Sequence, residues 1–510
     1  MMKKLLIVLF AGLLAACSDF LEPKSQSEYI PREAAALNEM LLGNAYIQAA
    51  GGDEVMNLLL MFDDDIMCSD SSGAINTMVM TGDNFQLLEK LYAWQPDIFI
   101  QEGTLMYQTP WKWFYSYILG ANAALDYIDG VSGTDDERNI VKAQAFALRG
   151  YYYFQLVNMW GAPYNYDKKA LGVPLKVTSA LEAKELPRNT VEEVYTQILA
   201  DLNEAEKTYE KLPREQQYRK DYRTSLPMVQ LLKSRVYLYM EDWKNAAIYA
   251  RKVIDDWDFI LTDLNSLPQK TTAQPYYNFI SQDCSEVIWV FGKIDKFVNL
   301  VKQKMIFPDP YKPEQSLETN FFNASSELLG AFKAGDLRKE NYIVRSPYTD
   351  SKNNQHLGGY APYGKFAVNY AHEPISNTNF AHAFRLAEAY LNLAEAAALD
   401  KDEKTARWAL ETLLEKRFVP GTVSVTETGS ALVDRVRLER RLELCFEGHR
   451  WFDLRRYGMP SITHEWKSDG KVIKRYTLKE KDLFYTWPIP QEVMEENRKL
   501  VQNPLPEVRN

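Results

Sequence analysis

Four cysteines and five histidines in 510 residues leave little material for thiol or metal chemistry. The histidines (His356, His372, His382, His449, His464) form no His-Glu-x-x-His pair, and the cysteines match no zinc spacing. After Cys17 only Cys68, Cys284 and Cys445 remain, an odd number at long spacings, so no disulfide framework is encoded. Cys445 falls on an apolar helical face and reads as a small core residue, while a Cys68–Cys284 bridge stays open in an oxidising location. Excess positive charge is also missing. The formal charge is −10, with no Lys/Arg stripe, which argues against nucleic acid as a partner. A Gly-x-Ser-x-Gly elbow is absent. The run Gly359-Tyr360-Ala361-Pro362-Tyr363-Gly364-Lys365 stops short of a phosphate loop, because Phe366 stands where a magnesium-binding hydroxyl is required. No cofactor and no metal are implied.

Long apolar runs are scarce as well. The first, Leu5 to Ala16, spans twelve residues, too few to cross a bilayer as a helix. Lys3 and Lys4 precede it and Leu14-Ala15-Ala16-Cys17 ends it, which resembles a bacterial lipoprotein cleavage site. Residues 1–16 then form the leader, Cys17 is the lipidated residue, and the polar residues 17–30 are a tether to a membrane. Several acyl chains on one cysteine would hold it durably, at roughly 0.8 kcal/mol per buried CH₂.

What the chain does have is apolar and aromatic content, 46% and 13%, enough for a large core. Helical periodicity is plain at Pro31–Gln48, Trp111–Ile128, Glu137–Met159, Thr190–Leu212, Ser225–Met240, Asp242–Asp255, Phe384–Leu399, Glu403–Arg417 and Ala431–Glu447. Arg149-Gly150-Tyr151-Tyr152, Arg235-Val236-Tyr237-Leu238 and Glu388-Ala389-Tyr390-Leu391 hold equivalent places in three first helices. Bulky Trp243 followed by Ala246, Ala247 and Ala250 gives the second helix of a tetratricopeptide-like pair. The irregular spacing of these repeats argues against one unbroken superhelix. The reading is a mostly α protein, with residues 31–510 forming one domain. Its tetratricopeptide-like scaffold covers about 111–258 and 383–460. Two long irregular insertions, 51–110 and 259–382, carry few strands apart from Glu286–Phe291, and segments of that length are usually functional.

The stretch Glu439–Gly458 (Glu-Arg-Arg-Leu-Glu-Leu-Cys-Phe-Glu-Gly-His-Arg-Trp-Phe-Asp-Leu-Arg-Arg-Tyr-Gly) reads as a helix, a turn at Gly448, and a second short helix. It closely resembles the C-terminal signature of the SusD/RagB family. Trp111-x-x-Phe114-Tyr115-x-x-Ile118-x-x-Ala121-Asn122, Ala143-Gln144-Ala145-x-x-Leu148-Arg149-Gly150-Tyr151, Gly172-Val173-Pro174-Leu175, Glu286-Val287-Ile288-Trp289 and Pro488-Ile489-Pro490 are similar to other family segments. The resemblance implies a surface-exposed outer-membrane lipoprotein without catalysis. Such a protein binds an oligosaccharide or polysaccharide beside a SusC-like TonB-dependent transporter. A peptide-capturing member of the same family, or a glycoside hydrolase on a helical scaffold, are the alternatives.

Glycan capture needs aromatic faces and groups that hydrogen-bond hydroxyls. Tyr92 and Trp94 stand in a turn-rich stretch of the first insertion and lead the candidates. Asp65 and Asp70 are the acidic ones, from a loop expected to be solvated, and Tyr276, Tyr277, Tyr360 and Tyr363 come from the second insertion. The arginines and aromatics of 439–458 are expected to stitch helices together.

Overall fold

Seven helices that follow one another in sequence each pack on the next, even though the second insertion interrupts them. They are α3 (Thr109–Tyr127), α4 (Asp135–Trp160), α5 (Val191–Tyr209), α6 (Leu226–Tyr239), α7 (Trp243–Asp255), α8 (Leu386–Leu399) and α9 (Glu403–Leu414), preceded by α1 (Ala34–Asn44) and α2 (Gly82–Tyr92). This is a computed structural model, and it describes residues 31–47, 56, 58–69, 82–100, 109–181, 185–269, 277, 279–293, 322–349, 355–361, 364–365, 380–468 and 470–509. Helix α2 falls where the periodicity was too weak to predict one.

Local chemistry starts these helices. Thr134 with Glu137, and Thr190 with Glu193, form capping boxes, each threonine accepting from the glutamate backbone N–H at 3.2 Å. The two later pairs share one turn. Glu241 and Lys401 take left-handed φ values of 62° and 67°, and the next residues, Asp242 and Asp402, cap α7 and α9 through Asn245 and Thr405. That match supports the repeat. Thr190→Ala should lower stability by about 1 kcal/mol, read as a shift in urea midpoint with unchanged slope.

The expectation of a broken superhelix is corrected by the closure of the second insertion. Strand β2 (Val287–Lys293) pairs antiparallel with β6 (Phe380–Arg385), Val287 opposite Arg385, so the ends of the insertion meet at its base. Helix α8 can then stack directly on α7. Buried Arg235 of α6 and Glu388 of α8 hold the junction with two bonds of 2.6 Å, and they occupy equivalent repeat positions. The other pairings are also antiparallel: β1 (Ile66–Cys68) with β3 (Phe322–Ala324), β4 (Val344–Thr349) with β5 (Gln355–Ala361), and β7 (Ile462–Ser468) with β8 (Lys471–Leu478). Helix α1 rests on α3 and α4. Gly120 permits that approach, since a Cβ there would lie 2.6 Å from the Asn44 carbonyl oxygen.

The signature stretch forms α10 (Gly429–Leu444) and α11 (Arg450–Arg456), with the turn between them absorbed by Phe446 at φ 62° and Gly448 at φ 78°. Most of its charged residues are buried, and they tie the stretch to itself and to several distant parts of the chain. Glu443 accepts from Arg417 at 2.9 Å and Arg385 at 3.2 Å, and Glu286 bridges the same two arginines at 2.7 and 2.9 Å. Glu447 binds Arg385 and Lys365, which places the lysine of the near-miss phosphate loop inside the core. Arg440 pairs with Asp453 at 2.9 Å, and Arg456 joins Asp453 to Glu395. Arg455 donates to the carbonyls of Asn158, Gly161 and Tyr485, occupying acceptors at the end of α4. Trp451 stacks on Tyr485 at 4.8 Å with no exposed surface. Stitching is the role of this stretch.

Candidate functional site

The three cysteines of the body, Cys68, Cys284 and Cys445, are buried thiols with no disulfide between them, so the Cys68–Cys284 bridge is not formed. No helix among the described residues is long and apolar enough to cross a membrane.

The leading aromatic candidates are corrected by the structure. Tyr92 and Trp94 are 1% and 0% exposed, so neither offers an open ring face, although Tyr92 borders the cavity described below. His464 of β7 lies between them, its ring centroid 4.0 Å from Tyr92 and 4.1 Å from Trp94. Trp94 Nε1 donates to the Phe62 carbonyl at 3.0 Å, and the Tyr92 hydroxyl accepts from Cys68 N at 3.1 Å. A buried tyrosine or tryptophan with its polar atom satisfied is a core residue. The two nitrogens of His464 face the carbonyls of Tyr92 and Asp63 at 2.8 and 2.9 Å. Burial pushes this imidazole down to about 4, against the pull of those carbonyls.

The acidic loop is not solvated either. Asp63 and Asp65 are buried, and Asp64 is largely so. Arg450 grips Asp64 with two bonds of 2.6 and 2.7 Å, and Arg441 Nε donates to Asp65 at 2.7 Å. Asp65 is therefore an internal ion-pair partner rather than a sugar ligand. Burial pushes Asp64 up, but Arg450 and Arg441 outweigh it and hold the carboxyl below its usual range. Asp63 lacks such a partner, so burial and the charges of Asp65 and Asp64 hold it well above that range. The three carboxylates approach within 4.8 Å of one another, and guanidinium groups already pair with two of them.

Of the remaining candidates, Tyr277 is half-buried against Phe279, ring centroids 4.6 Å apart, and Tyr360 is half-buried in β5 opposite Arg345. Asp70, Tyr276, Tyr363 and the lipidation residue Cys17 lie outside the described residues.

The ion-paired turn forms the back of a cavity of about 560 Å³. Arg450 and Asp64 stand at its base. Ser325, Ser326 and Glu327 enter from the segment after β3, and Ser461, Thr463, Glu465 and Lys467 from β7. Ser325 fixes one wall: its backbone N–H donates to the Asp65 carbonyl at 2.7 Å and its hydroxyl to the Asp64 carbonyl at 2.8 Å. It also caps the helix Ser326–Ala331, while Arg441 holds Glu327 at 2.7 Å. The opposite wall is β7, where Ile462, Thr463, His464, Glu465 and Lys467 all border the cavity; Thr463 is exposed, Glu465 and Lys467 are partly so, and Ile462 and His464 are buried. Hydroxyls, carboxylates, an ammonium and a guanidinium thus converge where a polyhydroxylated ligand could exchange hydrogen bonds with water. Apart from Tyr92, which borders the cavity, these lining residues were missed at the sequence level. The period-2 pattern after Pro460 was the available signal.

Comparison with known proteins follows the same lines. The sequence model described as "SusD family" matches residues 300–505, and one described as "Starch-binding associating with outer membrane" matches residues 19–238. "SusD-like protein P38" of Formosa agariphila is 26% identical over 393 residues, covering 68% of this chain and 71% of that protein. A SusD superfamily protein from Bacteroides thetaiotaomicron shares the fold at TM-score 0.69 and 22% identity, covering 92% of this chain and 100% of its own. A SusD-like carbohydrate binding protein from Bacteroides vulgatus does so at TM-score 0.67 and 21% identity, covering 92% and 97%.

Proposed function

The chain belongs to the SusD/RagB family, and from that premise we propose that it captures oligosaccharides or polysaccharides at the cell surface without chemically altering them. It hands them to a partner TonB-dependent transporter while anchored to the outer membrane through lipid on Cys17. The observation that carries the reading is the open polar cavity of about 560 Å³ between β7 and the segment after β3. Its walls offer alternating donors and acceptors, the requirement for ring hydroxyls, and they are held from behind by buried ion pairs, so little ordering remains at the moment of binding. The carbohydrate-binding relative from Bacteroides vulgatus and the starch-binding family description support the ligand class. The leader ending at Cys17 supports the anchor.

The test is affinity electrophoresis of purified protein through gels containing a panel of neutral and acidic polysaccharides. Retardation by at least one glycan is expected, and Thr463→Trp should abolish it by filling the cavity from an exposed position. Retardation unaffected by Thr463→Trp would remove this cavity as the site. Absence of retardation on every glycan, together with retention of oligopeptides, would replace the carbohydrate reading with a peptide one.

A further inference from the structure

Arg450 lines the candidate cavity with one edge of its guanidinium still unused. We propose that Arg450 is the residue that orients the ligand, and that the cavity takes an uncharged stretch of glycan. This rests on the glycan reading of the same cavity.

The geometry of the fork comes first. Nε and Nη2 donate to the two oxygens of Asp64 at 2.6 and 2.7 Å. Those nitrogens share one edge of the planar group, so Nη1 points away from the pair. Nη1 has no acceptor among the described residues, and it is not sealed off, since 13% of the side chain is exposed. The donor is also fixed in place. Asp64 is braced from behind by Arg441 at 3.3 Å, and Arg450 opens α11 beside Trp451, which is fully buried. A side chain held in this way has lost its rotamer freedom before a ligand arrives. The hydrogen bond it then gives is assisted by the charge of the guanidinium.

The balance of charge sets the ligand class. Asp64, Glu327 and Glu465 line the cavity, as do Arg450 and Lys467. Glu327 is paired with Arg441 at 2.7 Å, and Arg441 also holds Asp65. Glu465 is paired with Arg475 at 3.0 Å and lies 3.6 Å from Lys467. Among the described residues, the lining charges and their ion-pair partners are thus four carboxylates (Asp64, Asp65, Glu327, Glu465) and four cations (Arg441, Arg450, Lys467, Arg475). No net charge is left to draw in an ion. A uronate or sulfate would meet Arg450 only beside the carboxylate of Asp64, whose repulsion offsets the attraction. A hydroxyl or ring oxygen accepts from Nη1 without that cost.

The test is calorimetric titration of the purified protein with oligosaccharides of amylose, laminarin, mannan and galactan, and with oligogalacturonate and hyaluronan fragments. Binding is expected among the uncharged probes alone. Its affinity should change less than about twofold between roughly 50 and 500 mM NaCl, since no net charge is screened. Arg450→Lys keeps a cation opposite Asp64 but removes Nη1, and should weaken the bound glycan roughly tenfold or more, with Tm as the check on the fold. Glu327→Gln lies at a position 72% exposed and leaves Arg441 its contacts with Asp64 and Asp65. It gives the cavity a net positive charge, so oligogalacturonate should bind at least about fivefold more tightly in low salt, an effect that fades at 500 mM. If Arg450→Lys does not fold, Glu327→Gln decides, and no gain for oligogalacturonate overturns the inference. Tighter binding of an acidic probe by the wild type, abolished in Thr463→Trp, also overturns it, as does a neutral glycan lost in Thr463→Trp but unmoved in a folded Arg450→Lys. Both results leave the glycan reading standing. No binding of any probe, or binding that Thr463→Trp does not touch, removes the cavity as the site and this inference with it.

Discussion

Glu443→Ala is expected to be the most damaging single substitution in the chain, with a loss of about 3–5 kcal/mol, enough to remove much of the stability of an ordinary domain. Glu443, Glu286, Arg385 and Arg417 are at most 1% exposed and share five bonds between 2.7 and 3.2 Å. Arg417 arrives from the end of α9, Arg385 from β6, Glu286 from the start of β2 and Glu443 from α10. Truncating Glu443 leaves Arg417 with Glu286 as its one carboxylate among the described residues, shared with Arg385, which keeps Glu447 as well, and no water solvates the buried guanidinium. A buried ion pair adds little net stability over an apolar replacement, but removing one partner leaves the desolvation penalty of the other uncompensated. Arg417 also donates to the Thr262 carbonyl at 2.6 Å, so its displacement would loosen the entry to the second insertion. Equilibrium urea unfolding measures the effect. Glu443→Gln should fall between the wild type and the alanine variant, because it keeps the shape and loses the charge. Glu465→Ala, at a solvated position of β7, should stay within about 0.5 kcal/mol. Stability of Glu443→Ala within about 1 kcal/mol of wild type would mean that the network relaxes or admits water.

Acidification from pH 7 to pH 5 should cost about 2 kcal/mol for each of three buried histidines, before the arginine-paired carboxylates begin to protonate. Burial pushes His382 down to about 3 and His464 to about 4. His449 is held well below its usual value by burial and by the surrounding cations Arg235, Arg440, Arg385 and Lys365. An unfolded imidazole titrates near 6.5, so below that pH the unfolded chain takes up protons that the folded chain refuses. Stability is therefore complete above about pH 6.5 and falls as pH drops towards the folded values. Below about pH 4.5 a second loss sets in. Glu395, Glu443, Glu447 and Asp453 are each pushed up by burial but held lower still by their arginine and lysine partners, and protonation breaks those pairs. Urea midpoints at pH 5, 6, 7 and 8 test the first phase. His382→Phe should remove about a third of the slope, since the ring still stacks on Phe291 and nothing is left to protonate. A flat midpoint between pH 7 and pH 5 would show that these histidines are charged or solvated in the folded protein.

Legibility varied with the range of the interactions. Helices α3 to α10 could be read from periodicity and caps, because those depend on residues three or four apart. Helix α2 could not, although Phe85, Leu88, Leu91 and Tyr92 keep helical spacing, because Gly82, Asp83 and Asn84 open it within a stretch rich in turn formers. The signature arginines were legible as stitching, but their partners were not: Arg441 meets Asp65 and Arg450 meets Asp64, both from the first insertion. The candidate cavity divides in the same way. Its β7 wall is a single strand whose exposure alternates locally, whereas the wall after β3 is placed by hydrogen bonds from Ser325 to the Asp64–Asp65 backbone.

By itself the sequence determined the helical scaffold, its repeat and the family, all of which rest on spacing or on motif. Only the tertiary structure decided which polar and aromatic residues face water. Tyr92, Trp94 and Asp65 have the chemistry of a sugar site, and their burial comes from His464 and Arg441, hundreds of residues further on. Burial is settled by what lands on the far side of a side chain, and no local pattern of residues encodes that. Closure of the second insertion by β2 and β6 has the same origin, because strand pairing joins segments whose separation along the chain leaves no periodic trace.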